Sequence, residues 1–149
     1  MAQAVQSKNA ELFQTVYQNV KAAGDEVLNL MPSVKDEQLR SDMTVQLSVL
    51  EAFASRAAKH LAEEGEKPEE AGMLSKAVNK VETKIDTLRD STAPHLAQML
   101  IEGATKRAGE MMRTLREAEC GRASEAAIKL VRDVASYEEK IAQDYKSYL

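Results

Sequence analysis

The side chains that could carry chemistry are few: two histidines, His60 and His95, one cysteine, Cys120, and a set of glutamates spread along the chain. A helical metal centre built on Glu-x-x-His needs an imidazole three residues after a carboxylate, so that both project from one face. Neither histidine stands there: Glu51 is followed at that spacing by Ala54, Glu138 by Ile141 and Glu139 by Ala142. Cys120 has no second thiol to pair with, and no Cys–His couple, glycine-rich phosphate loop or nucleophile–base set accompanies it. His95 and Glu102 lie seven residues apart on one helical face, which makes them weak candidates for a surface metal site, with Glu138 a third.

Glu138 is the most informative of these residues, because the spacing Val134, Glu138, Ile141 puts a carboxylate inside an apolar stripe. A buried carboxylate needs a cation, a proton or a polar ligand. Counting back across the turn near Gly121 brings Glu138 level with Gly103 and Ala104, one turn from Arg107. A buried Glu138–Arg107 pair is therefore expected, with a solvent-facing Glu138 or a metal or ligand role as the alternatives.

The elements that would position these residues are helices. Apolar residues recur at steps of three, four or seven through Val5, Leu12, Val16, Val20, Ala23, Val27 and Leu30, and again through Leu39, Met43, Leu47, Leu50, Ala54, Ala57 and Leu61. Further stripes run Leu74, Val78, Val81, Ile85, Leu88; then Leu96, Leu100, Ala104, Ala108, Met111, Leu115; then Ala127, Leu130, Val131, Val134, Ile141, Tyr145, Tyr148. With breaks at Pro32-Ser33, Gly65 to Pro68, Asp90 to Pro94 and Gly121, five segments are predicted, at about 4–31, 35–64, 69–89, 93–119 and 124–148. Four are of similar length. The short turns predict two antiparallel hairpins, and the third segment supplies a long helical crossover between them.

The whole chain, 1–149, reads as one all-α domain. A net charge of -4 from interspersed residues and an aromatic content of 4% argue against a nucleic-acid surface, which needs a basic footprint and stacking rings. No apolar run is long enough to span a membrane and no leader pattern opens the chain, so a cytoplasmic protein is expected. The amphipathic third segment must bury its stripe somewhere: on its own chain, on a second copy in a homodimer, or against a partner helix.

Two long hairpins joined by a crossover resemble the ferritin-like superfamily, and the run Asp90-Ser91-Thr92-Ala93-Pro94-His95-Leu96-Ala97-Gln98-Met99 resembles a segment of small uncharacterised bacterial ferritin-like proteins. The resemblance implies a ferritin-like four-helix bundle. Its oxidases hold two metals on inward glutamates and two Glu-x-x-His motifs, and both motifs are missing here. The first and fourth stripes contain no carboxylate. The expected function is accordingly a non-enzymatic bundle acting in protein interaction or scaffolding, without a cofactor. The alternative is a metal- or small-ligand-binding bundle with a degenerate site.

Overall fold

The computed structural model describes residues 2–69 and 91–149. Among them are four long helices, α1 (Ala2–Leu30), α2 (Glu37–Glu63), α3 (Ala93–Cys120) and α4 (Glu125–Asp144), with 3-10 turns at Met31–Ser33 and Tyr145–Tyr148. They form an all-α bundle with no strand among the described residues. These helices correspond to the first, second, fourth and fifth predicted segments. The third predicted segment, 69–89, falls almost wholly outside the described residues.

Local chemistry sets the helix boundaries. Asp36 caps α2 by accepting from Leu39 N at 2.8 Å, so the helix starts at Glu37, two residues later than the predicted boundary. Thr92 caps α3 just before Pro94 in the first turn, and Ser124 caps α4. At the end of α2, Gly65 takes φ 74°, with Glu66 N donating to Leu61 O at 2.8 Å and Gly65 N to Ala62 O at 3.0 Å, which closes the last turn. After α3 the left-handed position is taken by Arg122, φ 55°, and not by Gly121. The last predicted segment tightens at Tyr145, where α-helix gives way to the 3-10 turn.

Burying the stripes makes two apolar clusters rather than one. One holds Phe13 to Ala23 of α1, Leu50 to Leu61 of α2, Met111 and Leu115 of α3, and Ala127 to Ala135 of α4. The other holds Val27 and Leu30, Val34, Leu39 and Met43, Leu96 to Ala104, and Ile141 with Tyr145. The break falls at one place on every helix: between Ala23 and Val27, Met43 and Leu50, Ala104 and Met111, Ala135 and Ile141. Phe13, in the first half of α1, stacks on His60 near the end of α2 at 4.6 Å between ring centres. Among the described residues no helix is long and apolar enough to cross a membrane.

Candidate functional site

Each helix places one polar side chain in that break: half-buried Glu26 on α1, and buried Gln46 on α2, Arg107 on α3 and Glu138 on α4. The helical period puts them there. Glu26, Gln46 and Arg107 each stand three residues after one core position and four before another, and Glu138 stands three after Ala135 and three before Ile141. The result is a polar layer between two greasy ones.

Arg107 is its centre. Its Nη1 donates to Glu26 Oε2 at 2.7 Å, and its Nε is shared between both Glu138 oxygens at 3.3 Å each. Glu138 is 0% exposed and Arg107 7%, while the Glu26 side chain keeps 22% of its surface. The site thus joins three helices through one guanidinium and two carboxylates, an arrangement short of one positive charge. Gly103, one turn before Arg107, makes the space. A Cβ there would overlap both Glu26 oxygens and come within 2.9 Å of Arg107 Nη1.

The electrostatics follow from burial. Desolvation lifts the Glu138 carboxyl above the ordinary range, against the pull of Arg107 and with a further push from Glu26 and Glu110. Glu26 is lifted for the same reason, opposed by Arg107 and helped by Glu102. Burial acts to lower the Arg107 pKa, but the two carboxylates outweigh it and hold the guanidinium above its usual value. Tyr137, beside Glu138 in sequence, is pushed up to about 12 by burial and then by that carboxylate's charge.

Gln46 belongs to a separate set of polar contacts. Its Oε1 accepts from the Tyr145 hydroxyl at 2.6 Å, and one turn away Asp42 accepts from the Tyr148 hydroxyl. Both tie α2 to the chain's last turn.

Of the residues singled out by sequence, the structure brings Glu138 and Arg107 together in the core. Glu102 is exposed and accepts from Gln98 at 3.3 Å, while His95 sits in the first turn of α3, its backbone N donating to Thr92 Oγ1 at 3.4 Å. No group of three or more His, Cys, Asp or Glu that could hold a metal occurs among the described residues. Glu26 and Gln46 are absent from the sequence-derived set. Both were hidden by reading stripes through apolar residues alone, and the signal that finds them is a polar residue bracketed by core positions at minus three and plus four.

The two-metal centre implied by the ferritin-like resemblance takes carboxylates from all four helices and imidazoles from two. The residues at this level do not fit it, because a fixed cation, Arg107, stands between the two carboxylates and the buried polar side chain that α2 places in the break, Gln46, is a neutral amide. Elsewhere, a groove of about 330 Å³ between α1 and α3, walled by Lys8, Glu11, Thr15, Thr114 and Glu117, contains neither histidine nor cysteine. Compared with protein-family models, with curated proteins and with solved structures, the chain matches none.

Proposed function

We propose that the chain is a non-enzymatic bundle of ferritin-like architecture, one domain over 1–149 made of two antiparallel hairpins, and that it works in the cytoplasm through protein interaction or scaffolding. The hairpin arrangement is supported by Phe13, in the first half of α1, stacking on His60 near the end of α2. It is supported too by the two clusters, which group Leu96 to Ala104 of early α3 with Ile141 of late α4 and Tyr145 after it, and Met111 and Leu115 of late α3 with Ala127 to Ala135 of early α4. The single observation that carries the functional reading is the Arg107 guanidinium lodged between Glu26 and Glu138. A core closed by its own ion pairs leaves the outer surface as the part that meets other molecules. That surface carries exposed Leu28, Val45 and Met112 on three different helices.

Elemental analysis of protein purified without chelators tests this reading, with light scattering on the same sample giving the size of the assembly. Metal well below one ion per chain is expected. About two iron or manganese ions per chain would reverse the reading in favour of a metal-binding bundle, which draws its support from the layer's excess of carboxylate over cation.

A further inference from the structure

We propose that Arg107 is the residue that excludes divalent cations from a two-carboxylate site in the bundle core. The inference rests on the non-enzymatic reading above and extends it to a stated residue. Glu26 and Glu138 project from α1 and α4 toward one point, and what holds them there is a positive charge on α3. Two carboxylates held this close, Glu138 fully buried and Glu26 half-buried, repel each other and have given up water, so a cation between them is a condition of their meeting. The guanidinium meets that condition with a tethered, planar group that donates to both partners, in space opened by the missing side chain of Gly103. An ion from solution would have to displace Arg107 from both carboxylates, and the loss of those contacts is the barrier.

Carboxylate oxygens are hard ligands that suit Mn2+ and Mg2+. Replacing Arg107 by Glu turns the exclusion into a demand, since three carboxylates from three helices would then converge without a counter-charge. Replacing it by Gln keeps the two native carboxylates and removes only the cation.

The experiment measures Mn2+ binding by electron paramagnetic resonance and by thermal shift, on wild type, Arg107→Glu, Arg107→Gln and the double variant Arg107→Glu/Glu138→Gln. Wild type is expected to show no shift. Arg107→Glu is expected to take up about one Mn2+ per chain, with a melting temperature raised by about 5–10 °C near 100-fold excess over its Kd. Affinity should fall about tenfold or more in the double variant. If Arg107→Glu folds only with metal, recovery of its helical circular dichroism on adding Mn2+ is the readout, and Arg107→Gln, binding more weakly than Arg107→Glu but above wild type, carries the test independently. Folded Arg107→Glu and Arg107→Gln that ignore Mn2+ would overturn this inference and leave the non-enzymatic reading standing. Wild type that binds Mn2+, and loses it with Glu138→Gln, would overturn both.

Discussion

At the scale of single residues the layer is an exercise in sharing. One guanidinium serves two carboxylates, so part of each carboxylate's lost hydration goes uncompensated, and both pKa values move up rather than down. The consequence for stability has a definite sign. A carboxyl whose folded pKa lies above its unfolded value of about 4.5 binds its proton more tightly in the native state. Its contribution is therefore largest below about 4.5 and is lost as pH rises through the folded value. Glu26→Gln removes that dependence at one site. In paired thermal melts between about pH 4 and 7, the stability of wild type relative to Glu26→Gln is expected to fall as pH rises. A difference that grows with pH would mean that Arg107 holds Glu26 as an ordinary low-pKa partner, and a flat one that burial and Arg107 offset each other. The comparison cancels the carboxylates remote from the layer, while Glu138, which Glu26 pushes up, changes in the same direction when Glu26 is removed.

At the scale of elements, the helices were legible because their apolar positions repeat at helical spacing and their caps are chemically explicit: Asp36, Thr92 and Ser124 each accept from a first-turn amide. The level of Glu138 against Arg107 was legible too, since a short turn fixes the register between α3 and α4 and residues can be counted from it. Glu26 was not, because its partner lies on a helix 81 residues away and no short turn sets that register. On the surface of α4, Lys129 reaches forward to Asp133 at 3.3 Å and Lys140 to Asp144 at 2.6 Å. The glycines of α3 separate local propensity from packing. Gly109 is exposed with open space around it, so Gly109→Ala is expected to raise stability by about 0.5–1 kcal/mol, the ordinary gain of alanine over glycine inside a helix. Gly103→Ala has the same propensity gain but presses a methyl group onto Glu26 and Arg107, and a net loss of about 1–3 kcal/mol is expected instead. Urea titrations of the two variants check this, and equal gains at both sites would show that the Glu26 carboxylate moves aside freely.

At the scale of the whole molecule, the layer divides the core into two apolar clusters and so fixes how the helices stand against one another. Apolar stripes alone specify this weakly. A helix sliding by one turn, about 5.4 Å, still presents Leu, Val and Ala to its neighbours. With the layer in place, the same slide would drive Glu138 or Arg107 into hydrocarbon without a partner, which no rearrangement of aliphatic side chains offsets. Register and stability can therefore be taken apart by substitution. Arg107→Met alone strands two buried carboxylates and is expected to lose about 3–5 kcal/mol. The combined variant Glu26→Leu, Arg107→Met and Glu138→Leu strands nothing, keeps volume, and is expected to match or exceed wild type by up to about 4 kcal/mol in urea unfolding. Its amide nuclear magnetic resonance spectrum should at the same time broaden or double at residues flanking the layer, as alternative registers become populated. A triple variant less stable than wild type would instead make the ion pairs net contributors to stability, and a spectrum as sharp as wild type would remove them as the source of register.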